Sequence, residues 1–197
     1  MKVIELVIDE KDEQSGIDAV SVVHSPAIQE NFIALNKHEV ELKEIDAEKK
    51  ILMGAALIPN KQIYRESKKH GQYYIYFSED TVRKASELFL MNSNQNNATY
   101  EHEKQLEGLS VVESWIIEDE KFDKSVKYGF SLPKGTWMIS MKVNNEEVWN
   151  DVKAGKVKGF SIEGYFADKL EMSLQEQEEN ELLTKIKDII LNGEKKN

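Results

Sequence analysis

The chain has 197 residues, 40% of them hydrophobic and 31% charged, which suits one globular domain with appendages and argues against a long buried span. With 26 basic and 36 acidic residues the net charge is -10, poorly matched to a phosphate backbone, so nucleic acid is not an expected partner. There is no cysteine, which excludes disulfides, thiolate catalysis and zinc–cysteine sites and fits a reducing cytoplasm.

The first run, Val3 to Ile8, reads as a strand. Glu5 interrupts it, so it lacks the apolar core of a signal peptide, and no stretch of the chain reaches the length of a membrane helix. Asn97-Ala98-Thr99 matches a glycosylation acceptor, which carries no meaning without secretion. Asp9 to Gly16 is a charged loop. Ile17 to Val23 is a second apolar run, stopped by Ser25-Pro26. Ala27 to Leu35 is mixed, a short helix or an extended arm, and the heavily charged Lys37 to Lys50 reads as a strand or connector outside the core. Ile51 to Ile58 is continuously apolar and of a length that suits a buried strand. Asn60 to Gly71, basic and polar, reads as a loop before the β-prone run Tyr73 to Phe77.

Ser78 followed by Glu79 and Asp80 is a helix start, with Val82, Ala85, Leu88 and Phe89 as the buried face and an end near Asn92. A polar linker, Asn92 to Asn97, leads to Ala98 to Glu103, read as extended and containing His102. Leu109 to Ile117 is a strand with Val111, Glu113, Trp115 and Ile117 on one parity, and Glu118 to Lys134 a charged loop. Thr136 to Val143 is a further strand. Asn144 then reads as the cap of a short helix, with Glu147 as the second half of a capping box and Gly155 as its stop.

Val157 to Phe166 follows, alternating with period two. Phe160, Ile162 and Phe166 make an apolar face, and Ser161 and Glu163 fall on the other. Gly159 leaves room beside the hydroxyl. A serine so placed also fits a strand that merely turns one polar face to water. After Leu170 the composition changes. An acidic and amide-rich segment precedes Leu182, Leu183, Ile186, Ile189 and Ile190, spaced as an amphipathic helix. Such a helix packs on its own domain, or binds a partner or a second copy through residues 182–190. The organisation expected is a domain over residues 1–170, with its N-terminal strands and arm in residues 1–42, followed by an acidic linker and helix over 171–197. The fold class expected is α+β, a closed or nearly closed, mostly antiparallel sheet with helices outside.

Only four histidines are present, and there is no H-E-x-x-H pattern, no glycine-rich phosphate loop and no G-x-S-x-G elbow. No metal or cofactor is therefore expected. In an extended Glu101-His102-Glu103 the two carboxylates face away from the imidazole, which argues against a shared ion. What remains is His102 and Ser161. A serine hydroxyl needs a base to take its proton, and histidine is the natural one.

These residues resemble the prohead maturation proteases, in particular the XkdF-like phage serine proteases. Ala98 to Glu103 is similar to that family's histidine segment, and Val157 to Tyr165 to its serine segment. Leu57 to Asn60, Glu113 to Ile116, Lys134 to Met138, Val20 to Val23 and Ser25 to Ile28 carry further likeness, so the resemblance spans most of residues 1–170. It implies an assemblin-like β-barrel ringed by helices. It also implies a serine endopeptidase acting inside the assembling procapsid, in the host bacterial cytoplasm, on scaffold and major capsid protein precursors. Carried over, Ser161 is the nucleophile and His102 the general base. Related enzymes place an acid or second histidine on a strand well after the serine, and this chain does not. Asp168 is about 23 Å along the strand from Ser161, whereas Glu163 is about 6.6 Å away on the same face. Glu163 is the preferred third member, with Glu113 the alternative. Backbone amides near Gly164 or a basic side chain would serve the oxyanion. The alternative function is a non-catalytic capsid-assembly or scaffold-associated module that keeps the protease fold.

Overall fold

The computed structural model describes residues 2–12, 14–26, 33–34, 49–67, 71–173, 177, 179 and 182–186. The N-terminal strands are β1 (Lys2–Val7), β2 (Gly16–Val23) and β3 (Ile33–Ala34), followed by β4 (Ile51–Leu57), β5 (Ile63–Ser67) and β6 (Gly71–Phe77). Helix α1 (Glu79–Met91) separates these from β7 (Ala98–Tyr100), β8 (Lys104–Leu106), β9 (Leu109–Ile116) and β10 (Trp137–Val143). Helix α2 (Glu146–Lys153), β11 (Gly159–Tyr165) and β12 (Ala167–Asp168) complete the order.

Helix α1 forms where its capping signal lies. The Ser78 hydroxyl accepts from the Thr81 amide at 3.4 Å, and Glu79 and Asp80 occupy the positive end of the helix dipole. Val82, Ala85 and Phe89 are fully buried, and Phe89 meets Trp137 edge-on at 5.5 Å. Each large apolar side chain sealed this way contributes about 1.5–3 kcal/mol. Helix α2 is capped one residue later than expected, by Asn145, whose side chain accepts from Val148 N at 3.1 Å. Gly155 follows its end at φ +69°.

The class is α+β, but the ladders do not close into one antiparallel barrel. They form three separate four-stranded sheets, ordered β12-β1-β6-β5, β3-β4-β10-β9 and β11-β2-β7-β8. Two pairings, β1–β6 and β2–β7, are parallel. Both join strands far apart in sequence, the situation in which a crossover replaces a hairpin. The core lies between the sheets around Trp137, Trp149, Phe89, Phe160 and Met138. β10 is buried on both faces.

The expected loop over Asn60 to Gly71 contains β5, paired antiparallel with β6. Residues 27–32, 35–48, 68–70 and 187–197 lie outside the described residues, and with them the arm, most of the charged segment Lys37 to Lys50, His38, His70, Ile189 and Ile190. Within the C-terminal segment, residues 169–173 and 182–186 are helical. Leu182, Leu183 and Ile186 are exposed there. Among the described residues no helix is long and apolar enough to cross a membrane.

Candidate active site

Alternation along β11 seats Phe160 in the core and turns Ser161 to the other face, where it is 8% exposed. The antiparallel ladder with β2 sets Ser161 directly opposite Ser21, and the parallel ladder with β7 sets Ser21 opposite Thr99. Three hydroxyl-bearing residues therefore stand in one row on one face of the sheet. Ser21, fully buried, is committed: its hydroxyl donates to Thr99 O at 3.4 Å and accepts from the His102 amide at 3.1 Å. The Ser161 hydroxyl has no hydrogen-bond partner among the described residues. A bulge follows at Glu163/Gly164. A Cβ on Gly164 would sit 1.9 Å from Gly16 O, so only glycine lets the two backbones approach there.

The histidine is not on a strand. β7 ends at Tyr100, and Glu101 and His102 turn the chain with φ of +50° and +62°. The extended reading of Glu101-His102-Glu103 is thus corrected. Left-handed backbone at two consecutive non-glycine residues costs about 1–2 kcal/mol each. The turn is held by three bonds: His102 N to Ser21 Oγ, Glu103 N to Tyr100 O at 3.0 Å, and His24 N to the Glu101 carboxylate at 2.6 Å. Bent back over β2, the imidazole meets β11. Its Nδ1 lies 3.1 Å from Glu163 Oε1, and the Thr99 hydroxyl donates to the same oxygen.

A carboxylate can only accept, so Nδ1 carries the proton and Nε2 is left as the bare, basic nitrogen. This is the relation of an orienting acid to a general base. Glu163 is about 6.6 Å along the strand from Ser161 on the same face. His102, Glu163 and Ser161 thus gather over one sheet. Among the described residues no hydrogen bond joins Ser161 to His102. Catalytic hydrogen bonds are often long before substrate binds.

Glu113 is placed elsewhere. It sits on β9 opposite Ser140, in another sheet, and accepts from the Ser140 hydroxyl and from Lys124 Nζ at 2.8 Å. Those two donors hold its carboxyl below the ordinary glutamate range. Asp168 lies on β12 opposite Leu6 and accepts from the Leu170 amide at 2.9 Å. Among the described residues no three His, Asp or Glu side chains are grouped to hold a metal ion.

Sequence reasoning missed a neighbour of the serine. β11 ends its sheet, and a cavity of about 180 Å³ lies along this strand, lined by Ser161, Ile162, Gly164 and Phe166 together with Ile63 and Arg65 of β5. The signal was present, since Arg65 shares parity with Ile63, but it sat in a stretch too polar to read as a strand.

A family model described as "Putative phage serine protease XkdF" matches residues 38–171. The chain belongs to this family. No curated protein and no solved structure matches the chain. The XkdF match includes Arg65, His102, Glu163 and Ser161, and it begins after β2. Ser21, already committed to Thr99 and His102, lies outside it. Of the two serines that face one another across β2 and β11, Ser161 lies within the matched residues and Ser21 outside them.

Proposed function

We propose that this XkdF family member is a serine endopeptidase of procapsid maturation. It would cut scaffold or capsid-precursor segments inside the assembling head, in the cytoplasm of the host bacterium. The observation that carries this reading is the His102–Glu163 pair, 3.1 Å apart, on the sheet face that carries the uncommitted Ser161. Ser161 Oγ attacks the scissile carbonyl while His102 Nε2 takes the hydroxyl proton, once the two come within about 3 Å. The tetrahedral intermediate collapses and the imidazolium returns the proton to the leaving amine. Water, activated by the same nitrogen, then releases the acyl group. Glu163 holds the ring and stabilises its charged form throughout.

The test is incubation with scaffold and capsid precursors from the same gene neighbourhood, followed by mass spectrometry of the fragments. Cleavage lost in both Ser161→Ala and His102→Ala is the expected result. Full processing by Ser161→Ala overturns the reading.

A second reading, an assembly module without catalysis, is favoured by the exposed apolar residues Leu182, Leu183 and Ile186, which are 58%, 53% and 44% exposed on the C-terminal helical segment. It predicts that removing residues 171–197 abolishes precursor binding or self-association. Unchanged binding by the truncated chain removes its support.

A further inference from the structure

The cavity beside Ser161 is walled mostly by apolar side chains, and Arg65 lines it too. Ala56, Leu57, Ile63, Ile75, Phe77 and Phe166 supply the walls. Ile63 and Ile75 face each other across the β5–β6 ladder, and Arg65 opposite Tyr73 is the next pair on that face. Ile63 is buried and Arg65 exposed, so the arginine stands toward the solvent side of the cavity. Its Nη1 donates to Tyr64 O at 3.0 Å, and among the described residues no carboxylate pairs with it. In a chain of net charge -10, an arginine with no acidic partner among the described residues, lining a cavity that includes Ser161, is a ready partner for an incoming anion. Arginine engages carboxylates in a bidentate, geometrically selective way.

The size of the cavity limits what else can enter. An apolar cavity of about 150 Å³ holds a benzene molecule, so about 180 Å³ accommodates one side chain of leucine to phenylalanine size. β11 has no ladder partner on its second edge among the described strands. An extended peptide following such an edge is held by main-chain bonds and reads out alternate side chains in pockets. Ser161 is nearly buried and lines this cavity, so a side chain entering the cavity comes to lie beside it.

We propose that this cavity is the specificity pocket of the endopeptidase, taking one medium-sized apolar side chain of an extended peptide while Arg65 binds an acidic side chain two residues along it, on the same face. The proposal rests on the endopeptidase reading for its meaning, but its binding half can be tested without catalysis.

The probes are extended hexapeptides with one apolar position, varied from Ala through Leu and Phe to Trp, two residues from Glu, Gln or Lys. Cleavage is followed with the unmodified protein, Arg65→Gln and Arg65→Glu, and affinity is measured by fluorescence anisotropy on Ser161→Ala with and without the same changes. The unmodified pocket should favour Glu over Gln peptides by about tenfold or more, through KM and Kd rather than kcat. Arg65→Gln should erase that preference, and Arg65→Glu should transfer it to Lys peptides. Leu and Phe should bind best, with Ala and Trp weaker. The same peptide preference in all three proteins overturns the proposal, as does a loss of kcat with every peptide, which would put Arg65 at the chemistry. Cleavage that ignores Arg65 leaves the endopeptidase standing and removes the pocket. Arg65-dependent binding without cleavage leaves the pocket and removes the endopeptidase.

Discussion

In the β9–β10 ladder Ser140 is fully buried opposite Glu113, donates to it, and Lys124 closes the cluster from the other side. In β11 a serine and a glutamate again share a face, yet the hydroxyl of Ser161 has no partner among the described residues and the carboxylate of Glu163 is spent on a histidine from the turn after β7. The residue types are the same and the outcomes opposite. A satisfied cluster rigidifies a sheet. An unsatisfied hydroxyl near an oriented imidazole keeps its capacity for chemistry. Glu113, the alternative third member on the strand after His102, belongs to that satisfied cluster in another sheet.

The comparison breaks first, if it breaks, on the two glutamates. Glu163→Gln keeps the shape but lets the imidazole take the wrong tautomer, and a drop in cleavage rate of about 10²–10⁴-fold is expected. Glu113→Gln should leave the rate within about twofold, because Glu113 lies on another sheet. Equal losses in steady-state assays of the two would end the distinction.

The serines should separate in stability instead. Ser140→Ala deprives Glu113 of a buried donor and should cost about 1–3 kcal/mol in urea unfolding. Ser161→Ala removes a hydroxyl that has no partner among the described residues and should be neutral or slightly stabilising. A destabilised Ser161→Ala would mean that the hydroxyl has a structural task after all.

Thr99 sharpens the picture at smaller scale. Its hydroxyl shares Glu163 Oε1 with the imidazole, so Thr99→Val should loosen the carboxylate and slow cleavage by about tenfold, the effect expected of losing one hydrogen bond of about 1.4 kcal/mol. Retention of the full rate would show that the histidine alone orients Glu163.

The smallest effect is a pH dependence. Glu113 is held below its usual value of 4.5, first by Lys124 and then by Ser140. A carboxyl lowered on folding contributes stability that is complete above about 4.5 and fades as pH falls through the lowered value. The unmodified protein should therefore melt above Glu113→Gln near neutral pH, and the gap should narrow as pH falls below about 4.5. A gap constant down to pH ~3 would contradict the ion-pair account of this cluster.

What could be read from the sequence was what obeys a period or a local cap. Ser78 announced α1, the apolar run at Ile51 announced β4, and the parity of β11 placed Glu163 beside Ser161. The turn at His102 could not be read. Glu-His-Glu alternates like a strand, and no glycine or proline marks two left-handed residues held by bonds to β2. β5 was hidden for a related reason. One of its faces meets solvent and the other ends at a cavity, so only Ile63 of its five residues is buried. Three sheets in place of one barrel follow from which distant strands pair, and that is settled by packing rather than by local pattern.

The middle position of β2 sets a timetable. This strand comes before both of its neighbours in the chain, yet it lies between the strand of Ser161 and the strand that leads into His102. Its partner across β11 is 140 residues further along the chain. Domains fold as units once their sequence has emerged, so the row of Ser161, Ser21 and Thr99 cannot assemble on a half-made polypeptide. On the endopeptidase reading, the nascent chain stays harmless to itself and to its neighbours until almost the whole domain has been synthesised.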